Sequence, residues 1–189
     1  MFSKLNNKYP EAFFIVKLLA FFTIFYFGTE FWIGITAKGG LYSSFCDNYL
    51  NYIKWLRLLI LKGASLICLL FGYKTIVIDT ISLKIIGGLQ VNMVYSCIGY
   101  GLLSCWAAFI IAYPSKRKRK LIWLFGGLVT ICFANIIRVA SLLILVNKTK
   151  DVTRFTNHHE IFNAVAYSII ILLLYFYTKK GAKNPTKSK

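Results

Sequence analysis

Four long apolar runs constrain the fold of this 189-residue chain more than any other feature. They cover residues 13–33, 98–113, 121–146 and 161–177, and each is long enough, or nearly so, to cross a hydrocarbon core of roughly 30 Å. The chain is 58% hydrophobic and only 15% charged, whereas an ordinary soluble domain carries about a quarter charged residues. A single core in water cannot bury that much apolar surface. The sequence therefore excludes a soluble enzyme and a disordered chain, and predicts an all-α integral membrane protein with a bundle of about four transmembrane helices.

The net charge of +17 indicates orientation in a membrane rather than nucleic-acid binding, because the cations cluster beside the apolar runs. One cluster is the run 116–120, and another is the tail 179–189, which is rich in lysine and which we expect to be disordered. The N-terminus is basic as well. By the positive-inside rule, both termini and the 116–120 loop lie in the cytoplasm, so the number of spans is even.

Two segments between the first and second spans complete a single predicted membrane domain, residues 1–178. Residues 53–71 are apolar but contain three cations, which favours an amphipathic helix in the outer interface. Charge parity favours this position over a fifth span as well, because a fifth span would place the basic loop 116–120 outside. Residues 74–96 hold two β-rich runs about Gly87 and Gly88, which predict a short extracytoplasmic β-hairpin.

Side chains that could act in catalysis share one predicted depth in the membrane. At 1.5 Å per residue, helices of about 24 to 26 Å place Cys97, Arg138 and the adjacent pair His158 and His159 at one level near the outer surface. An arginine within a transmembrane helix indicates a functional site by default, and the alternative is snorkelling to the headgroups. Asn135 lies one turn before Arg138 and on the same face.

The residue types at this level describe acyl transfer through a thioester. A thiolate is a strong nucleophile, histidine can move protons, and arginine can hold a developing oxyanion. Cys105 and Cys132 lie inside predicted spans and Cys68 lies on the predicted interfacial helix, where cysteine is usually a small packing residue. Cys46, in an outer loop, is free or paired. No group of residues has metal-ligand spacing, and we expect no cofactor.

At these residues the chain resembles the exosortase/archaeosortase family of integral-membrane transpeptidases, in the compact form of Bacteroidota-like bacteria. The resemblance covers residues 88–177. Its parts are a Cys-x-Gly element at 97–99, a basic turn, an Asn-x-x-Arg element at 135–138, and the histidine pair. Many family members have Cys-Ser-Gly where this chain has Cys-Ile-Gly. The doubled histidine leaves the choice of the acting histidine open.

The resemblance implies a role for each of these residues. Cys97 is the nucleophile, Arg138 stabilises the oxyanion or transition state or clamps a substrate carboxyl group, and His159 is the acid/base, with His158 as the alternative. The supporting residues are Asn135, Asn163 and Gly99.

The activity implied by the resemblance is cleavage of C-terminal sorting signals of secreted proteins, with transfer to an acceptor. The partners are secreted proteins that end in a short motif, a transmembrane helix and a basic cluster, together with membrane lipid and without nucleic acid. The site faces outward from the cytoplasmic (inner) membrane. Two alternatives stay open: an intramembrane cysteine hydrolase that uses water as acceptor, and a non-catalytic membrane protein that binds a lipid or a partner through a polar outer pocket.

Overall fold

Helices make up most of the chain. The computed structural model describes residues 10–38, 41–149 and 155–182, with side chains in the last range described from 163 to 179. The helices in these ranges are α1 (Pro10–Thr36), α2 (Ser44–Tyr49), α3 (Tyr52–Leu70), α4 (Tyr100–Ala112), α5 (Arg117–Thr149) and α6 (Phe155–Ala182). A small sheet and a 3₁₀ turn, Tyr95–Ile98, separate α3 from α4. The prediction of a mostly helical protein is confirmed.

Two helices, α1 and α5, are long and apolar enough to cross a membrane. The other two predicted spans correspond to shorter apolar helices, α4 and the part of α6 from Asn163 to Lys179. With 13 residues, α4 is about 20 Å long at 1.5 Å per residue, which is less than a hydrocarbon core of roughly 30 Å. The helices coincide with the four predicted apolar runs, while the count of four spans stays a prediction.

Helix ends differ most from the predicted boundaries at the start of α5 and at both ends of α6. α5 begins at Arg117, so most of the cations of the run 116–120 lie on its first turns rather than in a loop. α6 begins at Phe155, before the predicted start at 161, and ends at Ala182. The prediction of disorder is therefore wrong for residues 179–182, while 183–189 lie outside the described residues. Helical hydrogen bonding continues into polar flanks, whereas a hydropathy pattern ends where the apolar residues end.

The sheet has three antiparallel strands where the sequence predicts a single hairpin. Strands β1 (Thr75–Ile78), β2 (Ser82–Ile85) and β3 (Gln90–Asn92) pair in the order β1-β2-β3. The turn with Gly87, whose φ is +77°, joins β2 to β3. The additional turn, between β1 and β2, has positive φ at both Asp79 (48°) and Thr80 (59°), as a tight type I′ hairpin turn requires. The sequence reading missed this turn because it contains no glycine.

Helix α3 lies where the sequence predicts a helix, and it packs against α5 and β1. Its buried residues recur every three or four positions, as expected for one helix face. They are Ile53, Arg57, Ile60, Leu61, Ala64 and Cys68. The opposite face is also largely apolar, because Trp55, Leu59 and Leu66 are exposed. This composition suits a helix in contact with lipid, and its place in the outer interface stays a prediction.

Two separate hydrophobic cores hold these elements together. The first, here called the Cys97-end core, joins α3, the sheet, the 3₁₀ turn and the C-terminal half of α5. The second, here called the Tyr177 core, contains Trp106 and Ile110 from α4, Ile131 from α5, and Ile170 and Tyr177 from α6. The candidate site residues lie beside the first core.

Candidate active site

The 3₁₀ turn before α4 positions Cys97. The Cys97 backbone N–H donates to the carbonyl of Val94 at 3.0 Å, which closes the turn. Ile98 is fully buried and packs in the Cys97-end core, so it fixes the turn to this core. The Cys97 side chain is half-buried. The sequence predicts this residue as the top of a continuous helix, but the structure places it on a separate turn that precedes the helix.

Gly99 allows the chain to change direction between that turn and α4. Its φ is +79°, a left-handed conformation that glycine adopts without the steric cost of a Cβ atom. A Cβ atom at this position would also lie 2.6 Å from Nδ2 of Asn135, closer than real contacts permit. Two constraints, backbone conformation and close approach of a neighbour, therefore require glycine here.

Asn135 fixes the turn to α5. Its side chain is 3% exposed, and its Nδ2 donates to the backbone carbonyl of Ile98 at 2.9 Å. A buried amide needs such a partner, because an unsatisfied buried polar group is costly. The bond holds the residue that follows Cys97 against the helix that carries Arg138. The same face of α5 therefore carries Asn135, which holds the turn, and Arg138, which carries the positive charge.

Arg138 lies one helical turn after Asn135 and reaches the thiol. Its Nη2 lies 4.0 Å from Sγ of Cys97, within the distance of a hydrogen bond to sulfur. Arg138 is half-buried, and its guanidinium keeps its charge at any physiological pH. A guanidinium in this position can hold negative charge that develops on a neighbouring substrate oxygen. The structure thus brings together Cys97, Arg138, Asn135 and Gly99 from among the predicted site residues.

An apolar cavity of about 670 Å³ opens beside these residues. Arg138, Gly99 and Ser96 line one part of it, while residues of α1, α4 and α6 line the remainder. Asn163, another predicted supporting residue, also lines this cavity. A second cavity of about 330 Å³ lies between α5 and α6 and includes Asn135 and Arg138 in its lining. Arg138 therefore borders both cavities.

The predicted acid/base lies outside the described side chains. His158 and His159 belong to the first turns of α6, ahead of Asn163 on the same helix. The sequence predicts that they precede this helix, whereas the backbone places them within it. Their roles stay a prediction.

The remaining cysteines and the acidic residues show no competing site in the described part of the chain. Cys46, Cys68, Cys105 and Cys132 form no disulfide within the described part of the chain. Cys68 is buried in the Cys97-end core, and Cys105 lines the large cavity on the α4 side. No group of three or more histidine, cysteine or acidic side chains is placed to hold a metal ion among the described residues.

Sequence reasoning missed two polar contacts near Cys97. The hydroxyl of Tyr100, three residues after Cys97, donates to the Glu30 carboxylate of α1, and the Tyr26 ring lies 5.4 Å from the Tyr100 ring. The Arg57 guanidinium of α3 lies 4.4 Å from the Tyr95 ring. The signal available in the sequence was the presence of Glu30 and Arg57 within largely apolar helices.

Comparison with known proteins identifies the family of the chain. A family model described as transmembrane exosortase matches residues 8–176, which is nearly the whole chain and includes all the candidate residues. No curated protein matches the chain, and no solved structure matches it. The match extends well beyond the segment 88–177 in which the motifs lie. The chain therefore belongs to the transmembrane exosortase family.

Proposed function

We propose that this protein is a membrane-embedded cysteine transpeptidase. It cleaves the C-terminal sorting signals from secreted proteins and transfers the cleaved proteins to an acceptor. The carrying observation is the 4.0 Å approach of Arg138 Nη2 to Cys97 Sγ at the edge of an apolar cavity. A nucleophile and a cation that can hold the developing oxyanion are two of the groups that acyl transfer uses. Membership in the exosortase family supports a transpeptidase or protease activity of this kind.

The proposed reaction has two steps. The Cys97 thiol gives its proton to His159, or to His158, and the sulfur attacks the scissile carbonyl carbon to form a C–S bond. The carbonyl oxygen takes the electron pair and is held by the Arg138 guanidinium. The C–N bond then breaks as the histidine returns the proton to the leaving amine, which leaves a thioester. In the second step an acceptor nucleophile attacks the thioester and releases the thiol.

The cavity suits a substrate that approaches from the membrane. Its lining is mainly apolar, with Phe22, Leu102, Ile170 and Ile171 on three different helices. Apolar side chains of a hydrophobic C-terminal segment can fill such a space while the adjoining extended segment reaches Cys97. With both termini in the cytoplasm by the charge distribution, this site faces the extracytoplasmic side of the inner membrane. Membrane lipid then surrounds the helices.

A matched set of cysteine variants tests the proposal. Cells that carry wild-type protein, Cys97→Ala or Cys105→Ala at equal membrane levels are compared by mass spectrometry of the C-termini of their surface proteins. Cys105 lines the large cavity, whereas Cys97 has the Arg138 guanidinium at its sulfur. Cys97→Ala should leave the C-terminal hydrophobic segments attached, while Cys105→Ala should process as the wild type does. Normal processing by Cys97→Ala would contradict the proposal.

The same measurement separates the alternatives. A new C-terminus that carries an added group identifies transpeptidation and gives the mass of the acceptor, whereas a free carboxylate identifies a cysteine hydrolase. Unprocessed proteins in wild-type cells, with Cys97 chemically unreactive, would support a non-catalytic membrane protein that binds a lipid or partner.

A further inference from the structure

Arg57 is a buried cation outside the group formed by Cys97, Arg138, Asn135 and Gly99. It lies in α3 and is 6% exposed. Its Nε has no hydrogen-bond partner among the described residues, and the guanidinium packs over the Tyr95 ring at 4.4 Å. Cation–π contact offsets only part of the cost of removing a charge from water. A buried arginine with an open donor therefore points to a missing acceptor.

A cavity beside Arg57 has room for a hydrogen-bond acceptor from a ligand. Arg57 lines a polar space of about 300 Å³. The charged residues of its lining are three cations and two carboxylates, which leave one excess positive charge. They are Lys38, Lys54, Arg57, Asp47 and Asp79. Four different segments contribute these side chains: the end of α1, α2, α3 and the β1–β2 turn.

Asp47 does not supply the missing acceptor. Its Oδ1 accepts from Asn51 Nδ2 at 2.9 Å and its Oδ2 accepts from the Tyr42 hydroxyl at 3.1 Å. The hydrogen bond from Asn51 holds the pKa of the Asp47 carboxyl below its ordinary value, so this group is ionised and already bonded to its neighbours. No ion pair to Arg57 is present in the described part of the chain.

We propose that this cavity binds the carboxylate of an acidic side chain in the polypeptide that is processed at Cys97. A guanidinium donates two parallel hydrogen bonds to a carboxylate, and the single excess charge matches a monoanion better than a dianionic phosphate. The assignment of a polypeptide rests on the proposed function. Tyr95, which packs on Arg57, belongs to the same 3₁₀ turn as Cys97, so a chain held by Arg57 lies beside the nucleophile.

A lipid headgroup fits this cavity less well than a peptide. An anionic lipid brings acyl chains that need a continuous apolar path, but the apolar part of this lining is confined to Ile81 and Tyr95. The cavity therefore selects a small polar anion with a short stem, as an aspartate or glutamate side chain provides. The large apolar cavity beside Arg138 remains separate and takes hydrophobic side chains.

Binding of a minimal probe tests the site without any reaction. The full chain in nanodiscs of zwitterionic lipid is dialysed to equilibrium against labelled N-acetylglutamate amide, its neutral N-acetylglutamine analogue, inorganic phosphate or glycerol phosphate. We expect the glutamate probe to bind best, and Arg57→Gln to weaken its binding by about tenfold or more, the loss expected of a buried charged hydrogen-bond donor. Equal binding of the two amides, or tighter binding of either phosphate compound, would overturn the assignment.

A second variant protects the test against loss of folding. Asp79 lines the cavity at a positive φ of 48°, a conformation that asparagine tolerates. Asp79→Asn removes a repelling charge, so it should strengthen binding of the glutamate probe by about threefold. Damage to the fold cannot tighten binding, and an unchanged or weaker affinity would count against the site. Cys97→Ala should bind the probe as the wild type does, which separates this test from that of the proposed reaction.

Discussion

The two ends of the bundle use their charged and polar side chains in different ways. At the Cys97 end, Arg138 and Arg57 border cavities. At the Tyr177 end, Arg119 donates to the backbone carbonyl of Tyr177 and packs 4.8 Å above its ring. Lys120 donates from Nζ to the Ile111 carbonyl at 2.6 Å. The cations Arg119 and Lys120 at the Tyr177 end therefore contact helix carbonyls and an aromatic ring. Arg138 and Arg57 at the Cys97 end line cavities that a ligand can enter.

This difference shows which positive charges are structural. Rings surround Tyr177 at the second end, with centroids of Trp123 and Tyr113 at 5.5 and 5.3 Å from its own. The Tyr177 side chain is fully buried among these rings. The Cys97 end differs, because cavities open beside Arg138 and Arg57.

Replacing an arginine at each end should give the largest contrast. Arg138→Gln should lower processing by about 100-fold or more, because it removes the donor for the oxyanion. It should also slow alkylation of Cys97 by a membrane-impermeant maleimide, since it removes the guanidinium that contacts the attacking sulfur. Arg138→Lys keeps the charge but loses the planar guanidinium, so its processing should lie between that of the wild type and that of Arg138→Gln.

Arg119→Gln is the matched control at the Tyr177 end. It makes the same chemical change where the charge contacts only a carbonyl and a ring, so the alkylation rate of Cys97 should not change. An equal loss of alkylation in both variants would show that the two ends do not differ in the way described here.

A smaller effect is expected from the glycines that flank the start of α4. Gly99→Ala should lower the free energy of unfolding by about 1–2 kcal/mol because of its positive φ, and should reduce processing through the displacement of Asn135. Gly101→Ala is the control, since the nearest atom to its added Cβ is Cε2 of Tyr26 at 3.6 Å, an ordinary contact. Denaturant unfolding in detergent and the processing assay give the two readouts, and equal effects of both variants would exclude a special role for Gly99.

The smallest effect belongs to the Tyr177 core and has the opposite sign. Among the described residues, the buried Tyr177 hydroxyl has no hydrogen-bond partner. Tyr177→Phe should therefore be neutral or raise the free energy of unfolding by about 1 kcal/mol, with processing unchanged. Trp106→Phe is the contrasting variant, because it removes an indole N–H that bonds to the Leu124 carbonyl at 3.2 Å and should destabilise. Reduced processing by Tyr177→Phe would indicate that this end also contributes to function.

Much of the fold and part of the site follow from counting residues along apolar runs. The lengths from Leu121 to Arg138 and from Cys97 along the next helix predict a common depth, and the two side chains do meet at 4.0 Å. The three-stranded sheet was only half predicted, because the turn at Asp79 and Thr80 uses residues that rarely adopt positive φ. Helix ends were misplaced wherever polar residues continue a helix.

The sequence by itself determined the membrane-embedded helical class and the set of residues that can take part in acyl transfer, while its motifs resembled those of the family. These follow from composition and from linear order, which fix helix length and the depth of each residue. Only the tertiary structure decided how the helices are rotated and which side chains face one another. The Asn135 contact with Ile98 and the Arg57 cavity join segments far apart in the chain, and such contacts depend on packing between elements that no local pattern encodes.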